Sequence, residues 1–286
     1  MDIKAKSLLK IHIAVLLFGA TGLFGRFVSL PAPLITFGRV VFSSISFFVL
    51  FKIKHIDFRL DYLKEYLMII FTGAVLALHW SSFYQSVKVS TVAIALITFA
   101  TYPIFVTFAE PVMFHERLKK KDLVCAIVMF IGVIIIVPEF HLSNTMTLGI
   151  AWGMLSSFTW SFISLINRIF AQKYQGAVVA FYEQCTAAVV LAPLFFYLRP
   201  LLYVKDVCLL ALLGVVFTGL AHSLVISGMK VVRAQTTAIL SSLETPYGII
   251  FAALLLGEIP THKELLGGAI ILLTAFYSTV LSKKEN

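Results

Sequence analysis

Four charged side chains lie within long apolar stretches of the sequence: Arg39, Glu110, Glu183 and Glu244. If those stretches span a bilayer, each charge is costly to keep there, and such charges usually have a function. Arginine can hold a carboxylate, whereas glutamate can hold an amine or take up a proton. Glu110 lies near the end of its stretch, within reach of water, so we expect the other three to matter more. Hydrogen bonding between helices is the structural alternative for all of them.

Glu244 is the strongest candidate for a binding residue. It lies near the middle of its apolar stretch, two residues before Pro246. Thr237, Ser241, Glu244 and Gly248 are spaced by four, three and four residues, which places them on one face of a continuous helix. A polar stripe of this kind faces a cavity or another helix. We therefore predict that Glu244 binds the amine of a substrate or takes up a proton.

The remaining candidates are polar or aromatic residues inside apolar stretches: His79, Trp80, Tyr84, Tyr102, Trp160, Asn167, His222 and Ser241. Histidine can be protonated near neutral pH and so suits proton coupling, although a neutral, hydrogen-bonded histidine between helices is the alternative. Aromatic walls with a few polar groups suit a cavity for an organic metabolite. Ordinary helix packing explains the same residues equally well.

The elements that must position these residues follow from composition. Of the 286 residues, 60% are hydrophobic and only 13% are charged, whereas a soluble domain is about half apolar and about a quarter charged. Lipid must therefore be part of the solvent, and the backbone must satisfy its hydrogen bonds within helices. Ten stretches are apolar enough to predict spans, at 11–28, 32–52, 66–85, 91–114, 123–137, 148–170, 177–198, 207–229, 236–256 and 265–281. The predicted fold is an all-α polytopic membrane protein.

Several other classes of function lack support in the sequence. The net charge of +9 comes mostly from short loops, so we expect no nucleic-acid partner. Cys125, Cys185 and Cys208 lack metal-ligand spacing, and we expect neither a metal nor a disulfide. No Walker-type phosphate-binding run occurs, and no other cofactor is implied. An integral membrane enzyme is a remote alternative because no HExxH or GxSxG motif occurs, and a channel lacks a filter loop.

The two halves of the chain show a repeat with a constant offset of 142 residues. Segment 88–122 aligns without gaps on segment 230–264. The matched pairs are Lys88/Lys230, Leu96/Ala238, Ile97/Ile239, Phe108/Ile250, Ala109/Phe251, Glu116/Glu258 and Leu123/Leu265. We therefore divide the chain into repeats at 1–142 and 143–286. Each repeat holds five spans, and an odd number forces the second repeat to insert upside down. Inverted repeats are typical of transporters with a site near the membrane midplane.

Charge in the loops predicts the orientation. Loop 117–121 holds four Lys or Arg residues, whereas its counterpart at 259–263 holds only Lys263. Most Lys and Arg residues lie in segments on the same side of the membrane as the N-terminus. This distribution predicts that both termini are cytoplasmic. Segment 11–28 lacks a small-residue cleavage site and is predicted to be the first span rather than a signal peptide.

Arg39 and Glu183 occupy similar positions in the two repeats. Inversion would place them toward opposite membrane faces, so we expect no direct ion pair between them. Arg39 would hold a substrate carboxylate or a gate on the outer side, and Glu183 would do the equivalent inside. Structural bonds to neighbouring backbone carbonyls are the alternative for both residues.

Short motifs in the second repeat resemble a known family. The chain contains the runs SSLETP at 241–246, LLLGE at 254–258 and GGAIIL at 267–272. They resemble the EamA-type branch of the drug/metabolite transporter superfamily, whose repeats tend to contain SSLEP, LLLGE and LGGALIL. The first repeat has looser copies at 102–103 and 115–118, and Arg39 matches an arginine common in the second helix. Thr245, which separates Glu244 from Pro246, departs from the pattern and turns the proline by about 100° around the helix.

The resemblance implies ten helices in two inverted repeats and a central cavity that opens to each side in turn. We predict a secondary transporter in the bacterial inner membrane that exports a small metabolite, an amino acid or a related compound. An importer or exchanger of a larger metabolite, such as an adenosyl or nucleoside compound, is the alternative. The expected partners are this cargo and membrane lipid, with the chain acting as a monomer or a homodimer.

Overall fold

The structure, a computed structural model, describes residues 3–114, 120–137, 141, 143–232, 237, 240, 241 and 243–284. Every regular element in these residues is helical. In chain order the helices are α1 (Ile3–Phe27), α2 (Ala32–Lys54), α3 (Leu63–Val89), α4 (Val92–Phe99), α5 (Tyr102–Phe114), α6 (Lys120–Ile136), α7 (Thr145–Lys173), α8 (Gly176–Leu198), α9 (Val204–Leu212), a π-helical segment (Leu213–Leu220), α10 (Ala221–Met229), α11 (Glu244–Leu256) and α12 (His262–Lys284). The side chain of Glu110 lies outside what is described.

These helices form the ten spans of a polytopic membrane protein. Helices α1, α2, α3, α6, α7, α8 and α12 each form one span, and α7, at 29 residues, exceeds the ~20 residues that cross a bilayer. Helices α4 and α5 share the fourth span, and α9, the π-helical segment and α10 share the eighth. The ninth consists of α11 and the helical residues before it. Outward side chains such as Phe196 and Leu254 are 68% and 76% exposed, which suits contact with acyl chains.

Two of the predicted spans, at 91–114 and 236–256, are interrupted near their middle. The fourth span breaks at Ala100 and Thr101, and α11 begins anew at Glu244 after a turn at Leu243. Proline causes both breaks, since it lacks an N–H and its ring clashes with the preceding turn, so it is tolerated only in the first turn of a helix. Pro103 and Pro246 lie in the first turns of α5 and α11. The polar stripe predicted through Glu244 therefore runs across a break rather than along one helix.

The packing of the helices is symmetric with respect to exchange of the two repeats. Helix α3 packs along α7, and its counterpart, α10 with the π-helical segment, packs along α1. Helix α4 packs on α7 as α11 packs on α1. Helices α2 and α8, which are counterparts of each other, are in contact, and so are α6 and α12. With five spans in each repeat, the two-fold axis that relates them must lie in the plane of the membrane.

Two glycines let the repeats approach closely at the charged residues. A Cβ added at Gly73 of α3 would lie 2.6 Å from the carbonyl oxygen of Glu183 on α8. A Cβ added at Gly214 of the π-helical segment would lie 2.6 Å from the carbonyl oxygen of Arg39 on α2. In each repeat, a glycine thus packs against the backbone of a buried charged residue in the other repeat.

Candidate functional site

A narrow cavity lies at the centre of the bundle, between the repeats. Its volume is about 30 Å³, which is enough for about two water molecules and far below the ~300 Å³ of sites that hold drug-sized ligands. The residues lining it come from α1, α2, α3, α4, α7 and α11, and they are Phe18, Thr21, Arg39, His79, Trp80, Phe83, Phe99, Trp160 and Glu244. The wall is aromatic, with one basic residue, Arg39, and one acidic residue, Glu244.

Arg39 is held on two sides by neutral groups. Its guanidinium carbon lies 4.0 Å from the centre of the Trp80 ring and 5.5 Å from that of Tyr84. Its Nε atom donates a 2.8 Å hydrogen bond to the Thr218 hydroxyl, and Nη1 donates a 3.2 Å bond to the Tyr84 hydroxyl. Arg39 is only 1% exposed, so its charge is directed into the protein rather than toward lipid or bulk water.

The π-helical segment places Thr218 against Arg39. The wider turn lets the Thr218 hydroxyl donate to the Leu213 carbonyl, five residues earlier, at 2.7 Å. The same oxygen accepts the hydrogen bond from Arg39. Short π-helical insertions are frequent at functional sites because they re-aim a side chain without ending the helix.

Glu244 is the first residue of α11 and lines the cavity opposite the arginine. Each of the two charges influences the other electrostatically, yet no ion pair joins Arg39 and Glu244 among the described residues. The neighbouring Thr245 hydroxyl donates to the Leu96 carbonyl at 3.1 Å, which ties α11 to α4. In the described part of the chain, the cavity is therefore lined by an arginine and a glutamate that form no ion pair with each other.

Tyr102 and Ser241 lie at the two helix breaks and do not line the cavity. Tyr102, the counterpart of Glu244 at an offset of 142, is the first residue of α5. Its ring stacks on Phe99 with centroids 5.4 Å apart, and its hydroxyl hydrogen bonds to Ser241. The breaks in the fourth and ninth spans are thus joined to each other through side chains.

His79 is held by α7. Its Nδ1 atom lies 2.8 Å from the Ser156 carbonyl oxygen, to which it donates, and 3.0 Å from the Ser156 hydroxyl. Its ring centroid is 5.0 Å from that of Trp160. This geometry is that of a hydrogen-bonded histidine between helices, and the residue also lines the cavity.

Glu183 and His222 form a separate pair behind the cavity wall. Glu183 Oε2 lies 2.8 Å from His222 Nε2, and neither residue lines the cavity. The His222 ring lies 5.6 Å from the Trp80 ring and 5.8 Å from the Trp160 ring. No ion pair joins Arg39 to Glu183 in the described part of the chain.

Other candidates lie away from the cavity, and several lining residues were not predicted. Asn167 is buried on α7 but does not line the cavity. Sequence reasoning missed the wall residues Phe18, Thr21, Phe83 and Phe99, as well as Thr218, the partner of Arg39. The chain has 26 phenylalanines, so the presence of a phenylalanine does not identify a cavity residue. Only the three-residue spacing of Phe83 from Trp80 could have singled out one of them.

Comparisons with known proteins agree with this architecture. A family model described as the EamA-like transporter family matches residues 5–137 and again residues 147–280. The chain belongs to the EamA-like transporter family. The two matches correspond to the two five-helix repeats, while the boundary at residue 142 stays a prediction.

Relatives of this EamA-like chain are themselves named as transporters. It is 26% identical over 192 residues to an "Uncharacterized transporter" of Archaeoglobus fulgidus, covering 67% of this chain and 68% of the relative. It is 19% identical over 288 residues to the "Uncharacterized transporter YxxF" of Bacillus subtilis, covering 99% and 91%. A crystal structure with 16% sequence identity matches with a TM-score of 0.71 over 99% of both chains, which shows a shared fold.

Ion pairs tie the EamA-like bundle together at both membrane faces. At the end of α1, Arg26 pairs with Glu258 at 2.8 Å and also donates to the Ser90 carbonyl, while Glu258 accepts from the backbone N–H of Val92 at 2.9 Å. At the opposite face, Lys173 lies 2.7 Å from both Asp61 and Glu65. The first cluster joins α1, α4 and the end of α11, and the second joins α7 to the start of α3.

Proposed function

We propose that the chain is a secondary transporter that exports an amino acid or a related zwitterion across the bacterial inner membrane by alternating access. The observation that carries this proposal is the cavity between the inverted repeats, where Arg39 and Glu244 present opposite charges without pairing in the described residues. The carboxylate of an amino acid pairs with Arg39, and its ammonium group pairs with Glu244. The aromatic wall contacts its side chain.

Movement of helices is part of this function. A cavity of about 30 Å³ leaves no space for a metabolite, so the described conformation is closed around the site. The cargo enters when the bundle opens on one face and leaves when it opens on the other, which inverted repeats make possible because each repeat can adopt the other's conformation. A gradient of cargo or of an ion supplies the driving force.

The membrane arrangement is part of the proposal. The distribution of Lys and Arg supports cytoplasmic termini, and the exposed apolar faces suit lipid as the surrounding partner. A monomer is sufficient because one chain encloses the cavity, and a homodimer is compatible with this.

Counterflow in proteoliposomes tests the function. Vesicles are loaded with an unlabelled mixture of L-amino acids, and uptake of the isotope-labelled mixture is followed. We expect saturable exchange, with the half-saturating concentration raised at least about tenfold in Arg39→Lys and Glu244→Gln. Arg59→Lys, a conservative change in an exposed loop, serves as the matched control.

The outcomes separate the candidate functions. Exchange of nucleosides but not of amino acids would favour the larger-metabolite alternative. Flux that does not saturate would indicate a channel, and chemical conversion of the label would indicate an enzyme. Wild-type kinetics in both cavity variants would remove Arg39 and Glu244 from the site.

A further inference from the structure

Behind the cavity wall lies a buried acid–imidazole pair that cargo binding does not use. The Glu183 and His222 side chains are 0% and 1% exposed, and one oxygen–nitrogen contact of 2.8 Å joins them. An intramembrane ionisable residue is expensive to keep in place and marks a functional site unless something else explains it. Here the pair lies within the protein, between α8 and α10, and not on a lipid-facing surface.

The pair has open hydrogen-bonding positions. Glu183 Oε1 and His222 Nδ1 have no hydrogen-bond partner within the described residues, and neither amide atom of the adjacent Gln184 has one. A buried polar atom without a hydrogen-bond partner costs about 1–3 kcal/mol. Glu183 Oε1 and His222 Nδ1 are positions at which a proton can be added or removed without breaking the existing Glu183–His222 bond.

Few other charges face the pair. Among the described residues, His79 on α3 interacts electrostatically with both His222 and Arg39, and the Cys185 thiol lies on α8, two residues from Glu183. Helix α7 contributes the neutral Trp160 ring, and the π-helical segment contributes the neutral Thr218. Among the described residues, no Lys, Arg or acidic side chain of α1, α7 or α10 forms an ion pair with Glu183 or His222. In the described part of the chain, the only ion-pair partner that a proton on His222 meets is therefore Glu183 itself.

Aromatic rings connect the pair to the cargo cavity. The Trp80 ring contacts the Arg39 guanidinium, 4.0 Å from its centroid, and lies 5.6 Å from the His222 ring. Trp80 and His222 are 142 residues apart, so the two rings are counterparts in the repeat and meet near the two-fold axis. At the same offset Arg39 corresponds to Phe181, two residues before Glu183, so each repeat places one buried charged residue near its member of this ring pair. The Trp80 ring contacts both His222 and Arg39, so a change in the charge of the pair alters the electrostatic potential at Arg39.

We propose that the Glu183–His222 pair binds a proton and couples transport of the cargo to a proton gradient. The inference rests on the proposed transport function. A proton taken from water on one side bonds to a lone pair of the carboxylate or the imidazole, which raises the charge of the pair by one unit, and it returns to water on the other side. Because this charge changes the potential at Arg39, the proton and the cargo carboxylate alter each other's affinity by the same factor.

The test compares cargo exchange with proton movement in the same vesicles. Purified protein is reconstituted into proteoliposomes that contain a pH-sensitive dye, and the labelled mixture of L-amino acids is added outside. We expect cargo entry to change the internal pH in the wild type, with the sign of the change showing whether the two species move together or in opposition. In Glu183→Gln and His222→Gln, we expect the dye response and pH-driven accumulation to fall at least tenfold, and exchange at equal pH to fall much less. Glu264→Gln, at a buried carboxyl group at the start of α12, is the matched control and keeps the dye response.

Each outcome decides between the two proposals. If the wild type exchanges amino acids without any dye response, proton coupling is wrong and the transport function stands. If the wild type exchanges none of the amino acids, the transport function fails and the inference fails with it. If either variant is monodisperse and keeps the full dye response, that residue does not carry the proton. If both variants are monodisperse and lose exchange at equal pH as completely as they lose the dye response, the pair serves the structure or the cargo site instead.

Discussion

The Thr218 hydroxyl accepts a 2.8 Å hydrogen bond from Arg39 Nε across the boundary between the two repeats. Its proton is committed to the Leu213 carbonyl, so the oxygen can only accept from the arginine. The bond therefore fixes one edge of the guanidinium, and Arg39 lines the cavity. The orientation of a cavity-lining charge in the first repeat depends on a local distortion of a helix in the second repeat.

Thr218→Val tests this dependence with little change in shape. The substitution leaves the buried Nε–H without its acceptor, which costs about 1–3 kcal/mol. We expect the half-saturating cargo concentration in counterflow to rise about tenfold, since ~1.4 kcal/mol corresponds to that factor. Thr218→Ser keeps the hydroxyl and should stay close to wild type. Equal behaviour of the two variants would contradict the role assigned to the hydroxyl.

Trp80 is expected to stabilise the arginine through its ring face. A cation over tryptophan in a desolvated site contributes about 2 kcal/mol, and phenylalanine provides a weaker face. We expect cargo affinity to fall in the order wild type, Trp80→Phe, Trp80→Leu, measured again by counterflow. Trp152→Leu, on α7 and away from the cavity, controls for the loss of an indole in general. If Trp80→Leu lowers cargo affinity no more than Trp152→Leu does, the Trp80 ring does not stabilise the arginine.

The close contacts at Gly73 and Gly214 should make substitution by any residue with a Cβ atom destabilising at either position. An added Cβ at either position would lie 2.6 Å from a backbone carbonyl oxygen, and backbone cannot move aside as a flexible side chain can. We expect Gly73→Ala and Gly214→Ala each to destabilise the protein by about 1–3 kcal/mol, seen as a lower melting temperature in detergent. Gly268→Ala, whose nearest neighbour is the Ile97 side chain at 3.2 Å, should shift it much less.

Hydropathy and the repeat were sufficient to predict the membrane architecture. Crossing a bilayer requires long apolar helices, so their number follows from the apolar stretches along the chain. An odd number of spans in each repeat then requires the inversion. The resemblance at 241–246 and 254–258 led to the same family that the comparisons show.

The local geometry of the site was less predictable. The π-helical segment at Leu213–Leu220 has no distinctive sequence signal, so the partner of Arg39 could not be identified beforehand. The breaks before Tyr102 and Glu244 change which side chains of the fourth and ninth spans point into the bundle. A hydropathy profile does not detect such breaks, because the residues on both sides of each break are apolar. The pairing of Glu183 with His222 depends on contact between α8 and α10, which no spacing along the chain encodes.

The Arg26–Glu258 ion pair should bias which face of the bundle opens. The side chains of Arg26 and Glu258 are 31% and 20% exposed, so the pair contributes only about 1 kcal/mol, yet that changes the ratio of open to closed states about fivefold. Glu258→Gln keeps an acceptor for the Val92 N–H but weakens the ion pair. We expect it to favour opening at this face. The measurement is labelling of Thr21→Cys in the cavity by a membrane-impermeant thiol reagent, after replacement of Cys125, Cys185 and Cys208.

The internal repeat also predicts a variant that favours opening at the opposite membrane face. At the offset of 142, Arg26 corresponds to Arg168 and Glu258 corresponds to Glu116, which lies outside the described residues. If the symmetry extends to the ion pairs, Glu116→Gln should favour opening at the opposite face. Labelling from the Glu258 face should then rise about fivefold in Glu258→Gln and fall in Glu116→Gln, with Glu264→Gln unchanged. A change in the same direction in both variants would show that the ion pairs stabilise the closed bundle as a whole rather than one face of it.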